Sequence, residues 1–481
     1  MKKSLMHYTS TITNIVGIVL FGSIFSTSFL DLIIKYKSNY YTIIFNLIVY
    51  AVICGITVYI CKKIKNEKLF IFILLSFSFI LKFIWILSMD TQPDSDFVVM
   101  YNAAIEASKS NFTFVNDRYF SLWPYQMGFT LYQSLIIYLF GPSLFILKVF
   151  NCIFSTGTIF MVYKITKMLF NKFSAKISAL LLVLYIPYTI MNSLLTNQQL
   201  ATFLFYLGFY VMLKLPHTKK SGQILLGIVF ALAHIVRPLA TVVIPSVLLY
   251  QVIVLICSKG KNRFLIAKKT LVFLLVYSIA FQSLSFILIN TGISPHGLKN
   301  RDPLWKFVTG LNYSTTGQYS YTDNQHLLQF AIGEERKAEE LKLIKERTGN
   351  IATLFKLFLK KYYIFWGTKD AFVHWTIGSQ NASLVKNIQS TEQSMYMIAI
   401  LFSVIACIRL LRKKTINHSF FVILISLYAA AHLLIEIQTR YREFIIPAVF
   451  IFFGYGLSMS YMIASKKINH YLSRKQKSKS I

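Results

Sequence analysis

The chain has 481 residues, 55% of them hydrophobic and only 14% charged, with a mean hydropathy of +0.56. So few charges exclude a soluble globular protein of this length and leave an all-α polytopic membrane protein. The formal net charge of +32 would suggest nucleic acid in a soluble chain; here most Lys and Arg fall in short breaks between apolar runs, where they set topology, and no nucleic-acid partner is expected.

Taken in order, apolar runs occur at about 12–34, 41–61 and 69–88, each near the roughly 20 residues a bilayer requires. The first runs on past Leu30 without a small-residue cleavage site and reads as a span, not a signal peptide. The break Lys62-Lys63-Ile64-Lys65-Asn66-Glu67-Lys68 is strongly basic, which predicts a cytoplasmic loop with the amino terminus on the same side. Pro93-Asp94-Ser95-Asp96-Phe97 then falls on the outer face. Two carboxylates at a water-lipid boundary escape full desolvation, yet they can face a ligand that has one end in lipid. Asp also caps helices well, and a helix is predicted from Phe97 to Ala107, so the pair reads equally as cap and as catalyst.

Residues 111–126 form an aromatic, partly polar loop ending in Trp123-Pro124-Tyr125-Gln126, suited to headgroup level. Apolar sequence follows at about 127–170, 177–195, 198–215, 222–257 and 264–290. Gly141-Pro142 breaks the first of these, and two schemes each give twelve spans. In one, 127–170 is a two-helix hairpin and 222–257 a single crossing; in the other the assignments are exchanged. Lys164, Lys167, Lys172, Lys176, Lys214, Lys219 and Lys220 favour the second, which makes Arg237-Pro238 an outward turn. The five cysteines lie within or at the edge of apolar runs and form neither a disulfide framework nor a zinc spacing.

The longest polar region, about 291–393, is expected outside. Within it 334–347 reads as a solvated charged helix, and Lys356, Lys360 and Lys361 sit among Leu, Phe, Tyr and Trp as on a basic amphipathic helix at the membrane surface. Runs at about 394–411, 417–437 and 443–464 close the chain, held by Arg409, Arg412, Lys413, Lys414 and a basic tail inside. The organisation is therefore a module over 1–290 carrying the acidic outer loop (about 89–126), an outer region at 291–393, and final spans with a tail at 394–481. Glu436-Ile437-Gln438-Thr439-Arg440-Tyr441-Arg442 lies outside by parity. It reads either as an ion-paired turn, with Glu436 and Arg440 four apart, or as a seat for an anionic headgroup.

PDSDFVVMYNAA, WPYQMGF, HIVRPLA, WKFVTGLNYSTTGQYSYTDN and EIQTRYREFIIP, in this order, resemble the bacterial protein-mannosyltransferase-like branch of the GT-C glycosyltransferases. That branch is similar to protein O-mannosyltransferases and to the aminoarabinose transferase of lipid A. The resemblance covers nearly the whole chain. It implies a polyprenyl-phosphate sugar donor used on the extracytoplasmic face of the cell membrane, inversion at the anomeric carbon, and an envelope acceptor such as a glycan, teichoic acid, lipid or protein. Its acidic residue matches Asp96, with Asp94 beside it. The Arg-Pro pair matches Arg237, the loop motif matches Gly310, Asn312, Gly317 and Asp323, and the last motif matches Glu436, Gln438, Arg440 and Tyr441. Where many relatives carry an acid, this chain has Asn197-Gln198-Gln199.

A donor that already carries a phosphate leaving group needs an acceptor hydroxyl deprotonated and the departing phosphate held. Asp96 is the expected general base, with Asp94 sharing or orienting; Arg440, Arg442 and Arg237 are candidates for the phosphate, because the guanidinium fork fits its oxygens. Tyr125, Gln126, Asn312, Asp323, Glu436, Gln438 and Tyr441 are the expected substrate contacts. Two carboxylates could hold Mg or Mn, but no further ligand is identifiable and no metal is assigned. The alternatives are a polysaccharide polymerase, which would not need the acidic pair, and a flippase, which would carry ionisable residues deep in several spans.

Overall fold

A chain buried in lipid must satisfy its backbone polar groups internally, and the computed structural model is helical with no strand among the described residues, 2–35, 40–214, 221–378, 381–413 and 415–477. Lys219, Lys220, Lys414 and the last residues of the tail, which carried part of the topology argument, lie outside the described residues. Three helices lead to the acidic loop: α1 (Lys2–Lys35), α2 (Tyr40–Lys63) and α3 (Glu67–Ser88). The loop carries α4 (Asp96–Ala107) and α5 (Arg118–Leu122). Next come α6 (Met127–Phe140), α7 (Leu144–Leu169), α8 (Lys172–Leu184), α9 (Ile186–Ile190), α10 (Gln198–Lys214), α11 (Ser221–Val236), α12 (Ala240–Cys257) and α13 (Lys261–Asn290). The outer region holds α14 (Trp305–Gly310), α15 (Tyr321–Leu327), α16 (Glu334–Thr348), α17 (Ile351–Tyr362) and α18 (Phe372–Ile377), and α19 (Ala382–Leu410), α20 (Ser419–Leu434) and α21 (Ile446–Lys477) return through the bundle.

Among the described residues eight helices are long and apolar enough to cross a membrane: α1, α2, α3, α7, α12, α13, α19 and α21. The pair α8 and α9, bent by 66°, makes a broken ninth; the bend falls at Tyr185 and Pro187, where the ring removes a helix hydrogen bond. The two stretches whose pairing the sequence left open now separate. In 127–170 one helix has spanning length, the 26-residue α7, and the 14-residue α6 packs instead on α4 and α11. In 222–257 the chain breaks at Arg237-Pro238 into α11 and α12.

The main apolar core lies where α7, α8, α10, α19, α20 and α21 meet, around Phe209, Phe420, Phe450 and Phe453. A second core, with Phe97, Met100, Phe120, Met127, Phe129, Ile235 and Leu288, seats the acidic loop on the ends of α11 and α13. The spans are less free of charge than their hydropathy suggests. Asp31, Lys82, Lys176 and Glu392 are buried, and each has polar partners: Tyr363 and Gln393 for Asp31, Ser78 for Lys82, the Ile64 carbonyl for Lys176, Tyr185 for Glu392.

The outer region also departs from its simple reading. Helix α16 is not merely solvated: Arg336 is buried and pairs with Asp302 at 2.8 Å and with Glu340 at 3.5 Å. Nor is Lys361 a surface charge. Its Nζ is buried and donates to the carbonyls of Gly310, Leu433 and Ile435 at 2.7, 2.7 and 2.8 Å. This one ammonium ties α17 to the end of α14 and the end of α20.

Candidate active site

Asp96 is the first residue of α4, behind Ser95, whose φ of 54° turns the chain into the helix. Neither acid caps α4: Ser95 holds the cap position without a side-chain bond, and Asp94 Oδ1 accepts from the Ser95 amide at 2.7 Å. Capping therefore does not explain Asp96. Phe97, the next residue, is buried and anchors this first turn of α4 in the second core. Asp96 keeps a solvent-facing side, but the protein packed around it disfavours its charged form and lifts its pKa above the ordinary aspartate value; Lys306 and Arg440 oppose that rise, and Glu436 adds to it. Those three residues come from two distant segments, and with Asp96 they form one cluster.

The turn from Glu436 to Arg440 is extended and then 3₁₀, not α-helical, so Glu436 and Arg440 cannot pair as helix neighbours. Glu436 instead forms an ion pair with Lys306 and accepts from Gln438 Nε2 at 2.7 Å, while Gln438 Oε1 accepts from Arg440 Nε at 2.5 Å. Burial works against the Lys306 ammonium, and Glu436, Tyr441 and Tyr125 outweigh it, holding its pKa above the usual lysine value. Burial likewise opposes the Glu436 carboxylate, and Lys306, Gln438 and Arg440 hold its pKa below the usual range. Lys306, which sequence reasoning quoted in WKFVTG but did not single out, reaches the site because the outer region docks on this turn. The Glu436 amide donates to the Lys306 carbonyl and the Ile437 amide to the Gly317 carbonyl, both at 2.9 Å.

That docking needs Gly310. A Cβ there would stand 2.3 Å from the Ile435 carbonyl carbon and 2.4 Å from the Leu434 oxygen, both backbone atoms that cannot swing aside. Gly310→Ala should therefore cost about 1–3 kcal/mol and loosen the outer region from the bundle. Limited proteolysis should cleave within 300–360 faster than in the unaltered protein, with activity falling in parallel.

Arg440 is 8% exposed and lies over Trp375, 4.4 Å from the ring centroid, and over Phe97 at 5.2 Å. Arg237, at the α11–α12 break, donates to Asn197 Oδ1 at 3.1 Å. Both guanidiniums also address one ring: Tyr441 lies 5.3 Å from that of Arg237 and 5.6 Å from that of Arg440. Among the described residues neither arginine pairs directly with a carboxylate, and Arg440 Nη1 is buried with no hydrogen-bond partner. Two cations flanking one ring, with a buried donor left over, make a seat for an anion. The neutral Asn197-Gln198 pair is part of that seat. Asn197 holds Arg237, and Gln198 Nε2 donates to the Arg440 carbonyl at 2.9 Å.

Tyr125 and Gln126 end the loop before α6. Gly128 lets α6 approach α11, since a Cβ there would lie 1.9 Å from the Ile235 carbonyl oxygen. Burial, and then Asp96, Tyr441 and Glu436 against Lys306, push the Tyr125 hydroxyl up to about 12, and Gln126 Oε1 is buried without a partner. The remaining expected residues lie elsewhere. Arg442 sits in a separate buried network, 3.6 Å from Asp370 and over the Tyr396 ring at 5.0 Å. Asn312 donates to Asp323 at 2.8 Å, and Asp323 accepts from Arg347 at 2.7 and 3.0 Å, so both shape the outer loop. Asp94 is exposed. The described residues bring no three His, Cys, Asp or Glu side chains together in a way that could hold a metal ion.

Removing one partner of a buried pair typically costs about 3–5 kcal/mol. Arg442→Ala should accordingly lower the melting temperature and folded yield in detergent, and by more than Arg440→Ala, which removes ring contacts and one neutral hydrogen bond but no ion pair.

Residues 127–288 match the family model of dolichyl-phosphate-mannose-protein mannosyltransferases. The matched stretch runs from α6 to α13 and contributes Asn197, Gln198 and Arg237 to the site; Asp96, Lys306, Glu436 and Arg440 lie outside it. The match supports a membrane glycosyltransferase of the kind that draws on polyprenyl-phosphate sugars. No curated protein matches the chain.

Proposed function

We propose that the protein transfers a sugar from a polyprenyl-phosphate donor to a hydroxyl of a cell-envelope acceptor on the extracytoplasmic face, with inversion and with Asp96 as general base. The observation that carries this reading is the meeting of Asp96 with Arg440 and with the Lys306–Glu436 pair, drawn from three separate segments. A carboxylate with a raised pKa accepts a proton more readily than an ordinary aspartate does. Its neighbours carry the charge that a departing phosphate needs. Arg440 offers its unpartnered Nη1, and Arg237 shares the Tyr441 ring; the two would grip the phosphate oxygens more strongly as charge develops on them. Arg442 and Asp94 take no chemical part in this scheme.

A cleft of about 470 Å³ starts at Tyr125 and runs along Ile235, Pro238, Phe281 and Ile289 between α11, α12 and α13. Its apolar wall suits a polyprenyl chain, and α13 presents most of its surface outward. Adding the broken α8–α9 pair and the shorter α10, α11 and α20 to the eight long helices makes twelve crossings. With Lys62–Lys68 inside, that path returns Asp96, the 291–378 region and Glu436 to the same outer face.

The test is the release of polyprenyl phosphate from a synthetic polyprenyl-phosphate sugar by the purified, reconstituted protein, with envelope glycans and lipids extracted from cells as acceptors. No release with any acceptor fraction, from protein shown to be folded, would defeat the proposal. The membrane side is checked separately. All five native cysteines are buried, so an impermeant thiol reagent added outside intact cells should modify Tyr321→Cys, at a position 67% exposed, and not Asn66→Cys. The reverse pattern would put the site on the nucleotide-sugar side and end the donor assignment.

A further inference from the structure

The basic end of the bundle, opposite the active site along α3, carries a second opening. Between α2, α19 and α21 lies a groove of about 900 Å³, at the upper end of the range for small-molecule and cofactor sites. Its wall is apolar, with Cys54, Val58, Ile398, Leu401, Phe402 and Leu457, and Lys62, Lys63 and Lys65 line its mouth. Lys62 Nζ is held over the groove by the Tyr461 hydroxyl at 3.0 Å, and Lys63 lies over the Tyr59 ring at 5.5 Å. The nearby acid does not neutralise them: Glu67 is already paired with Lys167 and Lys172. Among the described residues no carboxylate pairs with the three lysines of the mouth.

From this we infer that the groove is a binding site for an anionic phospholipid of the basic-side leaflet. Its acyl chains would lie along α2 and α21 and its phosphate would rest among Lys62, Lys63 and Lys65. An apolar groove open to lipid accepts any acyl chain; three uncompensated ammonium groups at headgroup level select those that carry negative charge. Gly55 gives the groove its depth. It lines the wall, and a Cβ there would meet nothing within 4 Å. The site is separated from Asp96 by the length of α3, roughly 33 Å for its 22 residues, so it is independent of the transfer chemistry.

The experiment uses full-length protein reconstituted in phosphatidylcholine vesicles doped with a phosphatidylglycerol that bears a photoactivatable diazirine in its acyl chain. Adducts mapped by peptide mass spectrometry should concentrate on the groove walls of α2, α19 and α21. Unlabelled phosphatidylglycerol should compete, and added phosphatidylcholine should not. Replacing all three lysines (Lys62→Gln, Lys63→Gln, Lys65→Gln) should weaken competition about a hundredfold, near five-fold for each charge. Gly55→Leu keeps every charge and raises helix propensity, so the protein should fold as before, yet it should abolish the adducts by filling the groove. Equal competition by phosphatidylcholine, or adducts that survive Gly55→Leu, would overturn the assignment. So would cross-links between two protein copies at α2 and α21, which would make the groove a subunit interface.

Discussion

Asp96→Asn should lower sugar transfer by about 10²–10⁴-fold, the usual contribution of general-base catalysis, while leaving the protein folded. The amide keeps the size of the carboxylate but cannot take the proton of the acceptor hydroxyl. Asp96 lies on the solvent-facing rim of the loop and makes no cap bond, so its replacement leaves the packing of Phe97 and Met100 intact. The pH profile gives a second readout. The base is active only when deprotonated, and its pKa is raised, chiefly because the protein packed against one side of it strips solvent from the charged form. Transfer should therefore decline as pH falls at a higher pH than an ordinary aspartate would give, and the acidic limb should vanish in the residual activity of Asp96→Asn. Asp94→Asn is the control: Asp94 only accepts from the Ser95 amide, and its loss should cost little. If Asp96→Asn retained near full turnover, or if Asp94→Asn fell as far, Asp96 would not be the base.

How much of this was legible in the sequence depended on the range of the interactions. Hydropathy period and basic breaks act within one helix, and they located nearly every long element, including α3 before the acid and α21 after the Arg-rich turn. The acid Asp96 and the Glu436-Gln438-Arg440 turn were legible because clustered charges between apolar runs demand an explanation. The pairing inside that turn was not, because it depends on backbone shape. An i,i+4 ion pair presumes a helix, and the observed extended turn inserts Gln438 between Glu436 and Arg440 and sends Glu436 to Lys306.

Lys306 shows the same limit from the other side. It lies 130 residues from Glu436 in sequence, and only the docking of the outer region, through Gly310, Gly317 and the Lys361 clip, brings the two together. Its one advance signal was a lysine inside an otherwise aromatic, glycine-punctuated motif. Arg442, by contrast, looked like a second phosphate ligand from its spacing alone. Two residues along a 3₁₀ turn point to different sides, and Arg442 faces Asp370 while Arg440 faces Trp375. Asn197 and Gln198 bind Arg237 and the Arg440 backbone through neutral amides and bring no charge of their own.

The second large effect belongs to Arg440. Arg440→Ala should reduce kcat/KM for the polyprenyl-phosphate sugar by about 10²–10³-fold, the scale for losing one donor that meets charge developing in the transition state. Because a phosphate is already anionic in the ground state, KM should rise as well as kcat fall. Arg440→Lys should restore only part of the loss. Lysine keeps the charge, but it loses the planar fork and the stacking on Trp375 that aims Nη1. Gln438→Leu separates aim from charge: it removes the bond to Arg440 Nε at 2.5 Å and the link to Glu436 while leaving Arg440 in place. Its loss should be smaller than that of Arg440→Ala and should fall mostly on kcat, because a guanidinium free to swing still attracts the donor but meets the departing phosphate less often in the reactive geometry. Full activity in both Arg440 variants would make the guanidinium a packing partner of Trp375 and Phe97, and the phosphate would then have to be held by Lys306 and Arg237.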